Sequence, residues 1–369
     1  MAATSKPSMD SRERVMLALN HEEPDRVPLD TWMTPDAKES LRLHFGLSPE
    51  TDPYEQWHEG LMQRFHTDLR FPKLPYIGPP LRTFEDGSWE TEWGFRRQGL
   101  YAGVSISHPL GEATRVEEIL SHPLPNLDWY DYSGLRRYCD AHRQYALCGG
   151  SWSPFFTQAC HLMGMDRLLL NLYDAPHLVS ALLHRLVGFH IEMSERMFEA
   201  APGCFDIMFI GDDYGGSESL LMNPEQWRDI VKPELHRLVD LAHAYGLKFM
   251  LHCDGAIRKI IPDLVEMGID ALNPIEPEAK GMDAAEIKRT FGDRLTLHGA
   301  VSLVSNMAFG TVDDVRREVR RLLESCAPGG GLILCPGNYL LPDIPVENIL
   351  ALYDTVCEEG RYPLSVRMV

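Results

Sequence analysis

Lys248-Phe249-Met250-Leu251-His252-Cys253-Asp254-Gly255 decides how this chain is read. An apolar run that ends in His, Cys, Asp and a turn-forming Gly reads as a strand buried on both faces. Side chains alternate along a strand, so His252 and Asp254 are expected to share one side while Cys253 faces the core. An imidazole and a carboxylate pointing together off a strand end can hold a metal or move a proton. A buried histidine bonded to its neighbour as ordinary packing fits the same residues, so the reading depends on what the other strands deliver.

Working outward, the pattern repeats. Ala146–Gly150, Asp206–Asp213, Ala271–Glu276, Leu295–Gly299 and Leu332–Asn338 read as further strands, each followed by helical sequence. Those helices run to about Ala200, over Pro224–Tyr245, over Ile257–Met267 with Gly268 as terminator, from Asp283 with Glu286 in a capping pattern, over Thr311–Cys326, and from Pro345. Upstream, a helix capped by Ser11 precedes a first strand at Val27–Trp32, and a helical segment at Tyr54–Arg64 precedes a second at Thr67–Phe71. Strands alternating with helices signify a parallel sheet with crossover helices, and eight strands close a (β/α)8 TIM barrel. An open doubly wound sheet is the rival, but no Gly-rich fingerprint follows any strand. Residues 74–135 break the rhythm with Gly, Pro and aromatic punctuation, including the hairpin signal Asp86-Gly87. They read as an antiparallel β insertion after the second strand, covering one end of a single barrel domain that takes in residues 1–369.

A formal charge of −19 over 369 residues argues against a nucleic-acid surface and against adsorption to anionic lipid. The eight cysteines include no C-x-x-C pair and read as reduced thiols. The first residues lack the apolar core of a signal peptide, and no stretch approaches the length of a membrane span. A cytoplasmic protein is the expectation.

In a barrel of this kind the strand C-terminal ends build the active site. Those ends supply Asp30 to Trp32, Asp68, Trp152 to Phe156, Asp212-Asp213-Tyr214, His252 to Asp254, Glu276, His298 and Asn338. Convergence of so many ionisable groups on one rim is the signal. Individually, Asp212-Asp213 also suits a turn that caps its own backbone, and Asn338 after Pro-Gly suits a simple turn. Trp32 and Phe155 are candidates to wall a planar substrate, and lining the top of the core is the plainer role for both.

Several stretches together resemble the uroporphyrinogen decarboxylase-like superfamily: Ser11-Arg12-Glu13-Arg14-Val15, Asn20 to Pro28, Gly211 to Gly215, His252-Cys253-Asp254-Gly255, Asn273-Pro274-Ile275-Glu276 and Pro345 to Ile349. The resemblance spans nearly the whole chain and implies a (β/α)8 barrel and a homodimer. Decarboxylases of the family carry an Arg-Gln-Ala-Gly-Arg stretch after the first strand, where this chain reads Leu29 to Pro35 without arginine. The resemblance therefore points to the branch of corrinoid-linked methyltransferases. Members acting on a thiol hold zinc with His-x-Cys and a later Cys. Here His252 matches, while Asp254 and Asn338 stand where the cysteines would be, which exchanges soft ligands for oxygen. The implied enzyme takes a small O-methyl or N-methyl donor and passes the methyl group to a separate corrinoid protein. In this scheme zinc is the candidate metal, with His252, Asp254 and Glu276 as its ligands. Asp212, Asp213, Asp254 and Glu276 are the candidate catalytic carboxylates. Trp32, Asp68, Phe155, Tyr214, His298 and Asn338 are the candidate substrate contacts. A metal-assisted lyase or decarboxylase of a small acid, and a member that only binds a ligand, are the alternatives.

Overall fold

The computed structural model describes residues 9–55, 58–100, 103–150, 152 and 155–364. Ten strands follow in chain order: β1 (Leu69–Arg70), β2 (Trp89–Glu90), β3 (Arg96–Gln98), β4 (Val104–Ser105), β5 (Ala146–Gly149), β6 (Ile207–Gly211), β7 (Lys248–His252), β8 (Ala271–Ile275), β9 (Thr296–Val301) and β10 (Leu332–Pro336). Seven of them form a curled parallel sheet in the order β1-β5-β6-β7-β8-β9-β10, which is TIM-barrel-like. Their residues are buried on both faces almost throughout, as a parallel sheet wrapped in helices requires.

Eight strands were expected, and among the described residues seven form in this sheet. The Val27–Trp32 segment crosses the gap between β10 and β1 without becoming a strand. Leu29 makes an isolated parallel bridge to Leu334. The Asp68 N–H donates to the Leu29 carbonyl at 2.8 Å, and the Leu334 N–H to Pro28 at 2.9 Å. Pro28 has no N–H to give back, so a continuous ladder cannot propagate through it.

β2, β3 and β4 form a separate antiparallel sheet within the insertion, and the Asp86-Gly87 turn brings Thr83 against Trp89. Helices occupy most of the expected places with shifted ends. Asp10, not Ser11, caps Ser11–Leu19, its carboxylate accepting from the Glu13 N–H. The expected Tyr54–Arg64 helix is helical only over Glu59–Arg64, and Gln56 and Trp57 lie outside the described residues. A π-helical turn at Trp227–Val231 interrupts the Pro224–Ala244 helical stretch. Pro345 is an N-cap rather than a first-turn residue.

Asp68 is not at the mouth. The strand begins one residue after it, so the carboxylate lies at the opposite end of the sheet from His252. There it is fully buried and accepts from Arg14 Nη1 at 2.6 Å, Arg26 Nη1 at 2.8 Å, Ser11 Oγ at 2.7 Å and the Leu29 N–H at 2.8 Å. One carboxylate thus ties the first helix and the 27–31 segment to β1. Removing it takes a buried carboxylate away from two largely buried guanidinium groups, of which Arg14 keeps Asp25. Asp68→Ala is expected to lower unfolding free energy in urea by about 3–5 kcal/mol; a loss under 1 kcal/mol would show that the clamp is dispensable. Asp25, paired with Arg14 at 2.6 Å, gives a pH signature. Burial pushes its carboxyl up, but the Arg14 guanidinium outweighs burial and holds it below its ordinary value. Its stabilising effect is complete above the unfolded value of roughly 3.9 and disappears as pH falls through the lower folded value. The stability gap between wild type and Asp25→Asn is therefore expected to close below about pH 4.

Candidate metal centre and active site

β6 and β7 deliver their C-terminal loops to the same place because the backbones touch. A Cβ on Gly255, which sits at φ +86°, would come within 2.6 Å of the Gly215 backbone. The Ala256 N–H donates to the Gly216 carbonyl at 2.8 Å, and the Asp254 N–H donates to Asp213 Oδ1 at 3.0 Å. Only glycine permits so close a crossing at that positive φ. The result is a compact group in which His252 Nε2 lies 3.6 Å from Asp254 Oδ1 and 3.8 Å from Asp213 Oδ1.

Burial alone would favour neutral His252, but the Asp254 and Asp213 carboxylates outweigh it and push its pKa up to about 9. Burial raises Asp254, and His252 outweighs it and holds the carboxyl below its usual range. Burial and the Asp254 charge push Asp213 up despite His252. Each of the three offers one ligand atom, and these atoms lie within 4.8 Å of one another. Asp254 Oδ1 is buried and has no hydrogen-bond partner. One imidazole nitrogen and two carboxylate oxygens suit a zinc site that keeps a position open for substrate.

Glu276, expected as a ligand, is not in this group. Its Oε2 accepts from the Gly255 N–H at 2.9 Å, so it braces the β7 loop. Burial, then Asp254, raises its pKa. Asn338 donates through Nδ2 to Asp254 Oδ2 at 3.2 Å, which orients that carboxylate. Asp212 is buried and accepts from the Phe156 and Thr157 N–H groups at 2.7 and 2.8 Å and from Thr157 Oγ1 at 2.7 Å. It therefore supports the start of the Phe155–Met163 helix, while burial pushes it up to about 7.

Two neighbouring cavities, of about 430 and 640 Å³, separate the mouth from the insertion. Glu92, Trp93, Trp152 and His190 border both, and Asp213 borders the larger. Trp32 sits in an aromatic wall with ring centroids 4.9 Å from Phe71, 5.1 Å from Phe209 and 5.6 Å from Tyr339. Trp152 brings its ring to 5.0 Å from His252. Ser153 and Pro154, part of the expected 152–156 strand end, lie outside the described residues. Phe155 does not join this wall. It is fully buried against Tyr214, which itself packs on Phe156 and Trp227 and borders neither cavity. His298 is likewise fully buried, beneath the mouth rather than at it. Cys253 is buried on the opposite side of the strand, where its Sγ accepts from the Tyr214 N–H.

Sequence reading named Asp213 without grouping it with His252 and Asp254, and assigned no site role to Asn273, Phe209, Phe71 or Trp93. The Gly215-Gly216 and Gly255 pair was the available sign that two loops cross closely. The arginine-free stretch at 29–35 also understated the rim, because Arg97 on β3 and Lys73 border the cavities.

A TIM-barrel-like sheet with a His–carboxylate group at the C-terminal ends of adjacent strands is the class that fold and site define. The uroporphyrinogen decarboxylase (URO-D) family model matches residues 112–359, and the chain belongs to that family. The methylcobamide:CoM methyltransferase MtaA of Methanosarcina barkeri is 31% identical over 162 residues, 44% of this chain and 43% of that relative, so less than half of its length is spanned. A uroporphyrinogen decarboxylase of Syntrophotalea carbinolica is 26% identical over 231 residues, 60% of this chain and 62% of that relative. A solved methyltransferase structure from Methanosarcina mazei shares the fold at TM-score 0.69 and 21% identity, covering 95% of this chain and 99% of that one. Among the described residues no helix is long and apolar enough to cross a membrane.

The ligand assignment is open to direct measurement by competition with a chromophoric zinc chelator. Asp213→Ala and His252→Ala are each expected to weaken zinc binding by more than the roughly 10–100-fold typical of outer-sphere substitutions. Glu276→Gln is expected to stay within about threefold of wild type. The reverse order would restore Glu276 as the ligand.

Proposed function

We propose that this protein is an enzyme that takes a methyl group from a small O-methylated donor and passes it to the corrinoid of a separate protein, working as a cytoplasmic homodimer. An N-methyl donor is the second choice. The observation that carries the reading is the Asp213–His252–Asp254 group set against an aromatic wall at one mouth. Family membership and the likeness to MtaA, whose name specifies a methylcobamide substrate, support it.

The chemistry follows from the leaving group. When a methyl–oxygen bond breaks with its electron pair staying on oxygen, the resulting alkoxide leaves poorly unless its charge is neutralised. His252, Asp213 and Asp254 would hold zinc, which supplies the Lewis acidity that stabilises that oxygen. Asn338 holds Asp254 in orientation, and Glu276 fixes the loop that carries it. Trp32, Trp152 and Phe209 enclose the apolar part of the donor and exclude water from the reacting carbon. The replacement of thiolates by oxygen ligands suits an oxygen donor better than a thiol.

Arg97 and Lys73 at the cavities favour a second reading, a lyase or decarboxylase acting on a small acid, because a carboxylate would find a cation there. Dependence on corrinoid separates the two. Purified protein with a reduced corrinoid protein and a panel of methyl ethers and methylamines is expected to give methylated cobalt, followed by its absorption spectrum. Turnover of an acid without corrinoid would overturn methyl transfer. Trp32→Ala is expected to raise KM for the donor by up to roughly tenfold through loss of a packed aromatic contact, with kcat less affected.

A further inference from the structure

Below His252 a line of polar side chains descends into an otherwise apolar sheet interior. His252 Nδ1 lies 2.6 Å from Asn273 Oδ1, Asn273 Nδ2 bonds His298 Nδ1, and His298 Nε2 lies 3.0 Å from Asp30 Oδ2. The four are 5, 1, 0 and 0% exposed, respectively. Groups so deeply placed find their partners in one another, and only Asp30 Oδ1 of the line lacks a hydrogen-bond partner.

Their hydrogens can be assigned from one end. The Asp30 carboxylate only accepts, so His298 Nε2 carries a hydrogen. Asn273 Nδ2 lies against His298 Nδ1, so Nδ1 accepts and the amide turns its NH2 group toward it. The Asn273 carbonyl is thereby aimed at His252, where it takes the Nδ1 hydrogen. His252 Nε2 is then the nitrogen that faces Asp213 and Asp254, and giving up its hydrogen there opens a lone pair to a cation. The direction of the amide, which geometry alone leaves open, is set by the carboxylate two residues away in the chain of bonds.

We propose that Asp30, His298 and Asn273 are positioning residues that hold His252 in the tautomer and ring orientation whose Nε2 can bind a cation. The inference rests on the metal reading above, and its test separates the two. Outer partners of a ligating histidine fix its tautomer and raise its basicity, and their loss weakens metal binding by roughly 10–100-fold.

Nitrogen-15 NMR of the histidine rings reads the hydrogens directly. In the metal-free protein His298 is expected to carry its hydrogen on Nε2, and in the zinc-loaded protein His252 is expected to carry its hydrogen on Nδ1. A His298 hydrogen on Nδ1 would overturn the assignment whether or not zinc binds. Zinc affinity by chelator competition gives the second readout. Asn273→Leu is expected to bind 10–100-fold more weakly. His298→Gln can still accept from Asn273 and donate to Asp30, and is expected to stay within about threefold. Equal affinity of a folded Asn273→Leu and wild type would sink the proposal. Should Asn273→Leu fail to fold, weak binding by His298→Gln in place of rescue would sink it as well. If wild type takes up no zinc, the metal reading fails and the position of the His298 hydrogen alone decides the relay.

Discussion

A charged or hydrogen-bonding group inside a two-faced apolar sheet has nowhere to find water, and that constraint organises both ends of this molecule. At one end Asp68 is satisfied by two arginines, a serine and a backbone N–H. At the other, His252 is satisfied by Asn273 on one ring nitrogen and faces two carboxylates with the other. The two solutions differ in kind. Around Asp68 every carboxylate oxygen has a partner and the charges balance within the protein. Around His252 Nε2 the acids outnumber the bases and Asp254 Oδ1 lacks a hydrogen-bond partner. A buried group completed by its own neighbours is scaffold, whereas three ligand-type atoms gathered within 4.8 Å at the mouth could hold a cation.

The same distinction shows which parts of the site were legible in the sequence. Strand alternation correctly put His252 with Asp254 and sent Cys253 to the core, because period two is a property of the backbone. The helix–strand rhythm located six of the seven sheet strands with little error and read β1, only two residues long, as five. Asp68 was misplaced for that reason: a two-residue strand has a start and an end too close to tell apart by composition. Val27–Trp32 was read as a strand because its pattern is apolar, and Pro28 is the residue that prevents a ladder. Phe155 and Tyr214 looked like mouth residues by position, yet a loop folding back over a strand end buries such rings against the helices. Sequence order gives the end of a strand but not the direction in which the following loop turns.

Glu276 illustrates a further limit. Burial and the Asp254 charge perturb it, which marks it as unusual, and its position between Ile275 and Pro277 made it a reasonable ligand. Its oxygen is instead committed to the Gly255 N–H. The β7 loop needs that support because Gly255 sits in a left-handed conformation pressed on Gly215. Asp213 becomes the third member of the group through the same crossing, since its Oδ1 accepts from the Asp254 N–H while facing His252. Which acid supports and which faces the imidazole is thus decided by a glycine contact between two loops.

The insertion then sets what kind of molecule can reach this centre. Trp93 and Arg97 come from the antiparallel segment, whereas Trp32, Phe209 and Trp152 come from the sheet side, so the cavities have walls of two origins. The sheet side is aromatic and fixed by its packing with Phe71 and Tyr339. The insertion side mixes an aromatic ring with a guanidinium and the Glu92 carboxylate. A flat apolar body is accommodated by the first wall, and a polar substituent by the second. The two walls meet next to His252, whose ring lies 5.0 Å from that of Trp152. Such a division separates the insertion wall from the His252 centre: variation in residues 74–135 can reshape the cavities while the His252 centre and its buried support stay as they are.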